Sequence, residues 1–296
     1  MLEQSYRVRQ TTQNTMEKLP HLLALMRFDK PIGWLLLLWP TLIALWFASE
    51  GDPSGRLFWI FSAGVIVMRS AGCVINDIVD RKIDPLVART ETRPLAAGDV
   101  TVTTAIGLFV ILGLLALGLL LLLPSAVWPW SIPALLVTIA YPFMKRLIQA
   151  PQLVLGVAFS FGIPMVYVAS GHAFDLTFWL LILTNMLWVL IYDTAYAMSD
   201  REDDLKIGVK SSAIYFGDYD RQILGILQVV VLFFWLLIMW LQGLSLSFMI
   251  SIVLVTGLFA YQQWLIRHRE RGPCFQAFLN NGWVGAILWV GVVVAS

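Results

Sequence analysis

The chain of 296 residues is 59% hydrophobic and only 13% charged, and its formal net charge is +1. Soluble domains carry roughly 25% charged residues, so this composition excludes an ordinary soluble protein. The balanced charge gives no indication of a nucleic-acid partner. Apolar runs of about 20 residues recur along the whole chain and predict a polytopic membrane protein.

The apolar runs divide the chain into about nine predicted transmembrane helices. Breaks that contain glycine or proline, such as residues 51–55, separate consecutive runs. We therefore expect an all-α polytopic membrane protein that forms a single domain over residues 1–296. The predicted spans are 31–49, 57–79, 101–122, 126–144, 152–170, 174–199, 222–241, 246–266 and 275–295.

The distribution of lysine and arginine predicts the orientation. Eighteen of the 20 basic residues precede the first predicted helix or follow the second, fourth, sixth or eighth. Alternate loops share one side of the membrane, so the other side is left with Arg56 alone, while Arg69 falls within a helix. The positive-inside rule then places the N-terminal segment 1–30 and these basic loops in the cytoplasm, with the C-terminus outside.

Acidic residues are concentrated in two segments, each at the end of an even-numbered helix. In the first, Asn76, Asp80 and Asp84 fall on one stripe at helical pitch, and Asp77 lies beside it. The second segment ends the sixth predicted helix, and we expect residues 76–100 and 193–221 to form acidic cytoplasmic loops. The acidic residues of this second segment include Asp193, Asp200, Asp203 and Asp204.

The two acidic segments also predict an internal repeat. Residues 80–84 and 200–204 share the pattern DRxxD at an offset of 120 positions. Two similar halves with the same membrane orientation suggest an old parallel duplication. In such a pseudo-repeat the two acidic clusters would face each other across a central cavity.

Several carboxylates at a membrane boundary repel one another and resist desolvation, so they need a cation. One interpretation is that they are solvated carboxylates paired with neighbouring lysine and arginine. A second is a Mg²⁺ site, since hard oxygen ligands suit Mg²⁺ and substrate phosphates commonly complete its shell. A third is a cation- or proton-coupled transporter. The acids lie at helix ends rather than near the bilayer midplane, which favours chemistry on a metal-bound diphosphate.

The acidic motifs resemble those of the UbiA superfamily of intramembrane prenyltransferases. NDxxDxxxD is met by Asn76, Asp77, Asp80 and Asp84, and DxxxD is met by Asp200 and Asp204. The segments 26–33, 141–146 and 192–211 are similar to the 4-hydroxybenzoate branch of that superfamily.

The resemblance implies Mg²⁺-dependent transfer of a polyprenyl group from polyprenyl diphosphate to 4-hydroxybenzoate, ortho to the hydroxyl, in ubiquinone biosynthesis. Dihydroxynaphthoate, homogentisate and haem remain alternative acceptors. The chain would act within the lipid bilayer of the bacterial inner membrane, and no obligate protein partner is implied. The implied metal ligands, direct or through water, are Asp77, Asp80, Asp84, Asp200 and Asp204.

The resemblance and the helical spacing also select residues around these motifs. We expect Asn76 to be a metal ligand or to donate a hydrogen bond to a metal ligand. We expect Asp193 to orient a base, a ligand or the phenol. Tyr141 assists by a hydrogen bond or a cation–π contact, or it packs in the core.

The basic candidates each have a plainer alternative. Lys145 and Arg146 belong to a loop that any positive-inside protein would make basic, but Arg146 is also a candidate for the acceptor carboxylate, which suits a guanidinium fork. Arg27 and Lys30 meet either the diphosphate or lipid headgroups. Arg69 shares the stripe of Asn76 and should face the cavity, paired with carboxylate or diphosphate, unless it forms a structural ion pair.

Overall fold

The computed structural model describes residues 19–296, except for the side chain of Lys145, and this part of the chain is all-helical. The first 18 residues of the predicted cytoplasmic segment lie outside the described range. Short helical turns at 84–86, 94–97, 125–127, 212–216, 217–219 and 266–268 lie between the main helices. The main helices are α1 (Ile32–Ala48), α2 (Gly55–Asp80), α3 (Val102–Leu121), α4 (Trp128–Leu147), α5 (Gln152–Ser160), α6 (Gly162–Ser170), α7 (Leu176–Ile207), α8 (Asp220–Leu241), α9 (Phe248–Leu265) and α10 (Arg271–Ala295).

The helices account for about nine membrane crossings, as the sequence predicts. In the described part of the chain, eight helical segments are long and apolar enough to cross a membrane, and α5 with α6 forms one of them. The ninth crossing is α1, which is apolar but has only 17 residues. The all-α polytopic prediction is therefore confirmed.

The second acidic segment is helical where the sequence-based prediction had a loop. α7 continues to Ile207, eight residues beyond the predicted end at 199. The extension consists largely of charged side chains that a helix accommodates, and it stops at Gly208, whose φ of 71° is left-handed. α2 likewise continues through Asp80. Both acidic motifs therefore begin on rigid helices, so their side chains have fixed directions.

Six helices form a closed ring around the interior. Around the ring, α1 packs on α2, α2 on α4, α4 on α5, α5 on α7, α7 on α10, and α10 on α1. α3 packs outside α2, and α8 and α9 pack outside α7 and α10. Only two residues of α3 are buried, so its leucine-rich surface is suited to lipid contact.

The two ends of the bundle differ in chemistry. α2 carries its acidic residues at its C-terminal end, which we call the acidic end of the bundle. The turn before α2 lies at the opposite end, where Gly51 approaches Ser296 at the C-terminus of the chain. The acidic motifs and the C-terminus are therefore on opposite sides of the helical bundle.

Amide side chains join the outer helices inside the apolar layer. Gln228 of α8 donates to Gln262 of α9 at 3.1 Å, and Gln262 donates to Asn280 of α10 at 2.9 Å. Trp188 of α7 donates to Asn281 of α10 at 2.9 Å. No bulk water is available at this depth, so each bond satisfies groups that would otherwise be unpaired.

The position of α10 in the ring depends on a glycine. A Cβ atom at Gly285 would overlap the ring of Trp39 and lie 2.8 Å from Cη2 of Trp188. We expect Gly285→Ala to destabilise the bundle by about 1–3 kcal/mol, because Trp39 stacks on Trp289 and Trp188 is hydrogen-bonded to Asn281, so a shift of either indole costs a contact. Thermal unfolding in detergent, followed by labelling of the buried free thiols of Cys73 and Cys274, measures the effect.

Gly257→Ala in α9 is the matched control, since a Cβ atom there meets nothing within 4 Å. Equal unfolding temperatures for the two variants would show that α10 is not packed as described.

Candidate functional site

One elongated cavity runs through the ring of helices. Its volume is about 830 Å³, and residues of the ring helices and of α3 line it. Ile60 and Asp77 both line it, and a rise of about 1.5 Å per residue along α2 separates them by roughly 25 Å. Leucine, isoleucine and phenylalanine side chains line the deep part, whereas charged side chains surround the mouth at the acidic end. Such a cavity suits a long apolar molecule with an anionic head.

The first acidic motif lies at the mouth and is held by two arginines. α2 buries Asp77 to 1% exposure. Nη2 of Arg27 donates to both carboxylate oxygens of Asp77, at 2.7 and 2.8 Å. Nη1 of Arg93 donates to Asp77 at 3.0 Å and to Asp84 at 2.9 and 3.0 Å. Arg93 therefore bridges the end of α2 and the short turn that carries Asp84.

The electrostatics of this bridge follow from burial. Burial raises the pKa of the Asp84 carboxyl; Arg93 opposes the rise and the nearby Asp77 adds to it. Burial alone would lower the pKa of the Arg93 guanidinium, but Asp77, Tyr196 and Asp84 outweigh it, so the pKa is raised. Arg93 consequently remains charged at neutral pH.

The second acidic motif lines the same cavity from α7. Nε of Arg89 donates to the carboxylate oxygens of Asp200 at 3.0 and 3.1 Å, and Nη2 of Arg89 also bonds Asp200. The Arg89 guanidinium stacks 4.2 Å above the ring of Tyr196. Asp193 and Asp204 line the cavity from the same helix. The prediction that both clusters border one central cavity is confirmed by this geometry.

Other charged residues at the end of α7 point away from the cavity. Arg201 bonds the fully buried Asp220 at 3.0 Å, and Arg269 bonds the same carboxylate at 2.8 Å. Asp203 bonds Arg271 at 2.9 Å. These pairs attach α7 to α8 and α10.

The structure separates the remaining predicted acidic and polar residues by position. Asn76 and Tyr141 line the cavity, as do Asp77, Asp193, Asp200 and Asp204. Asp80 and Asp84 are buried beside it, at 3% and 5% exposure.

The predicted basic residues fall into three environments. Arg27 and Lys30 line the mouth of the cavity, and Arg27 already bonds Asp77. Arg146 is 47% exposed, and its Nη2 lies 3.8 Å from Asp80. Lys145 lies outside the described side chains.

Arg69 lies deeper in the cavity. It is eight residues before Asp77 on α2, which places it roughly 12 Å further along the helix axis. Its guanidinium lies 5.6 Å from the centre of the Phe159 ring, and its Nε has no hydrogen-bond partner in the described part of the chain. Tyr141 and Tyr192 lie within electrostatic reach of both Arg69 and Asp193. The predicted pairing of Arg69 with a motif carboxylate is absent among the described contacts.

Sequence reasoning missed Arg89, Arg93, Tyr196 and Lys210 as cavity-lining residues. The basic character of the loop after α2 was visible, but the positive-inside rule explains it without a site. No periodicity in residues 84–93 shows which side chains fold back over the cavity.

Comparison with known proteins agrees with this architecture. The model of the UbiA prenyltransferase family matches residues 37–289. The 4-hydroxybenzoate octaprenyltransferase of Tolumonas auensis is 54% identical over 271 residues, covering 92% of this chain and 95% of that protein.

Two solved structures are similar in fold. An apo UbiA homologue from Aeropyrum pernix K1 has a TM-score of 0.77 at 24% identity, covering 88% of this chain and 97% of that one. A UbiA homologue from Archaeoglobus fulgidus bound to GPP and Mg²⁺ has a TM-score of 0.71 at 17% identity, covering 93% and 99%.

The arginine bridge at the first motif makes a stability prediction. We expect Arg93→Gln to lower the free energy of unfolding by about 3 kcal/mol, because it removes a cation from two buried carboxylates. Lys82→Gln, an exposed basic residue of the same loop, should change the unfolding temperature little. Equal decreases of the unfolding temperature in detergent for Arg93→Gln and Lys82→Gln would show that Arg93 does not stabilise the fold by bridging Asp77 and Asp84.

Proposed function

The chain belongs to the UbiA prenyltransferase family, and we propose that it transfers a polyprenyl group from polyprenyl diphosphate to 4-hydroxybenzoate. The observation that carries the proposal is that both acidic motifs and several arginines border one end of a long apolar cavity. The 54% identity to the Tolumonas enzyme supports 4-hydroxybenzoate as the acceptor.

The donor set at the mouth fits Mg²⁺ that binds together with a diphosphate. Within the described residues, no group of three acidic, histidine or cysteine side chains is close enough to hold a metal ion alone. Mg²⁺ commonly takes one or two carboxylates and completes its shell with water and substrate phosphates. Oxygens of Asp77 and Asp200, with Asp204, would supply these ligands from opposite walls, and Asp80 and Asp84 would support them.

Mg²⁺ bound there would neutralise the charge that builds on the departing diphosphate. Arg89 and Arg93 provide fixed cations beside the same position, and such preorganised charge stabilises the leaving group as the carbon–oxygen bond breaks. The prenyl chain would extend along the apolar walls. There it excludes water from an allylic carbon with cationic character, which water would otherwise capture.

The deeper polar residues would hold the acceptor. Arg69 lies inside the cavity with an unbonded Nε, whereas Arg146 is half-exposed and lies near Asp80. We therefore assign the acceptor carboxylate to Arg69, with the sequence-based candidate Arg146 as the alternative. Tyr141 and Asp193 would hold the phenolic hydroxyl. The ring carbon ortho to that hydroxyl then faces the prenyl carbon and attacks it, after which the ring proton is lost.

The proposal includes the orientation and the pathway. The acidic end and the N-terminus would face the cytoplasm across the bacterial inner membrane, because nearly all basic residues belong to that side. The product, 3-polyprenyl-4-hydroxybenzoate, would enter ubiquinone biosynthesis.

The direct test supplies the purified protein in detergent with labelled prenyl diphosphate, Mg²⁺ and 4-hydroxybenzoate. We expect a prenylated product that disappears on chelation of Mg²⁺ and falls at least about 100-fold in Asp77→Ala, because a ligand of the Mg²⁺ that neutralises the leaving group is lost. Asp52→Ala, an exposed aspartate at the opposite end, should retain full activity.

Product formation that is independent of Mg²⁺ or unchanged in Asp77→Ala would refute the proposed clamp. A product only with homogentisate or dihydroxynaphthoate would reassign the acceptor.

The acceptor assignment has its own test. We expect Arg69→Gln to raise the KM for 4-hydroxybenzoate roughly 10- to 100-fold, because a charged hydrogen bond to the carboxylate is lost. The KM for prenyl diphosphate should change little. The neutral methyl ester should be a poor acceptor for the native protein and no worse for the variant.

Arg146→Gln is the matched substitution at the mouth. A large increase in acceptor KM in Arg146→Gln with none in Arg69→Gln would return the assignment to Arg146.

A further inference from the structure

Residues 84–93 form a segment that crosses the mouth of the cavity, and we call it the mouth segment. It begins with the turn at Asp84 and ends at Arg93, which returns to Asp77 and Asp84. Arg89, near its centre, lines the cavity and bonds Asp200 on α7. The arginines beside the proposed diphosphate position therefore belong to a segment of short turns. Internal bonds such as Thr90 Oγ1 to the carbonyl of Asp84, at 2.8 Å, hold these turns, and contacts with α7 set where the segment lies over the cavity.

Asp203 of α7 contacts this segment from outside the cavity. Oδ2 of Asp203 accepts a hydrogen bond from the backbone N–H of Ala88 at 3.4 Å, and another from Nη2 of Arg271 at 2.9 Å. Lys206 lies 3.7 Å from the other oxygen. The Asp203 side chain is 11% exposed, whereas the side chains of Arg271 and Lys206 are 39% and 73% exposed, so the carboxylate is shielded from water better than its charged partners are.

Both hydrogen-bond partners of Asp203 are connected to Arg89, one through the backbone and the other through aromatic contacts. Ala88 precedes Arg89 in the chain, so its hydrogen bond fixes the backbone from which the Arg89 side chain extends. Arg271 begins α10, and the rings of Phe275 and Phe278 on that helix contact Tyr196, at centroid distances of 6.1 and 4.8 Å. The Arg89 guanidinium in turn stacks on the Tyr196 ring.

We propose that Asp203 is a positioning residue that holds the mouth segment against α7 and thereby sets Arg89 at the diphosphate end of the cavity. The kinetic part of this inference rests on the proposed function, whereas the structural part does not. Asp203 itself does not touch the reacting atoms, since its carboxylate bonds Ala88 and Arg271 behind the cavity wall.

A purely structural ion pair between α7 and α10 would produce a different pattern of effects. Losing such a pair would loosen both helices and lower the stability of the whole bundle. Losing a positioning contact would release residues 86–91 selectively and lower kcat/KM for prenyl diphosphate, because Arg89 would no longer be held where it stabilises the bound and departing diphosphate. Local exchange and the separate kinetic constants distinguish the two patterns.

The experiment combines hydrogen–deuterium exchange with steady-state kinetics on the full-length protein in detergent. In Asp203→Asn we expect amides 86–91 to exchange on the order of 10-fold faster, and kcat/KM for prenyl diphosphate to fall by a similar factor, since a hydrogen bond to a charged group is lost. Exchange in α7 and α10 and the KM for the acceptor should stay within about two-fold. Asp203→Glu should recover most of the loss, because it keeps the charge.

Glu202→Gln is the matched control, because it removes the same charge from the neighbouring, exposed position of α7. Arg271→Gln is a second variant should Asp203→Asn fail to fold. It should change the exchange of the mouth segment and the kinetics with prenyl diphosphate in the same directions. The effects of the double variant on both should be less than the sum of the single effects.

Equal exchange of residues 86–91 and equal kcat/KM for prenyl diphosphate in Asp203→Asn and Glu202→Gln would overturn the inference, as would faster exchange throughout α7 and α10. If no variant or native protein makes product while residues 86–91 still exchange faster in Asp203→Asn, the proposed function fails but the positioning contact stands.

Discussion

The structure depends on pairing buried carboxylates with arginines at one end of a membrane protein. Asp77, Asp84 and Asp200 are each nearly inaccessible, and such groups repel one another and resist desolvation. Arginines meet this need in the described contacts, and each comes from a segment outside the helix that carries its partner. The constraint therefore organises the mouth segment as well as the ends of α2 and α7.

The same constraint separates the cavity into two chemical zones. Charge is confined to the mouth, where arginine side chains reach the carboxylates, and the deep walls are apolar. Arg69 and Asp193 are the exceptions. Arg69 lies about 12 Å inside, with Phe159 beside it and three tyrosines within electrostatic reach. A charge at that depth is tolerated mainly where it serves a ligand or a partner. This arrangement separates leaving-group binding from acceptor binding along one axis.

Sequence patterns predicted the helices well because apolar length and charge asymmetry are properties of single segments. They also predicted that the two acidic motifs would meet, because the repeat aligns Asp80 with Asp200 and helical pitch places each of them on the acidic face of its helix. The end of α7 was placed too early, since charged residues such as Arg201 and Asp203 suggest a loop although they continue the helix. Their partners Asp220 and Arg271 are far away in the chain, so local pattern could not show that these charges would be neutralised.

Contacts of the mouth segment were likewise beyond sequence reasoning. Arg89 and Arg93 look like ordinary basic loop residues, and only the tertiary fold shows that they return to carboxylates on two different helices. The choice between Arg69 and Arg146 for the acceptor carboxylate likewise depends on the tertiary fold. Both are arginines near motif residues, and depth in the cavity distinguishes them.

The central claim is that the two acidic motifs form one site for a metal-bound diphosphate. Binding of Mn²⁺, followed by electron paramagnetic resonance with and without a non-reactive thiolodiphosphate analogue of the prenyl donor, tests it most directly. The account predicts analogue-dependent Mn²⁺ binding that Asp77→Asn and Asp200→Asn each weaken at least about 10-fold. Mn²⁺ affinity that either substitution leaves unchanged would show that the two motifs do not share a site.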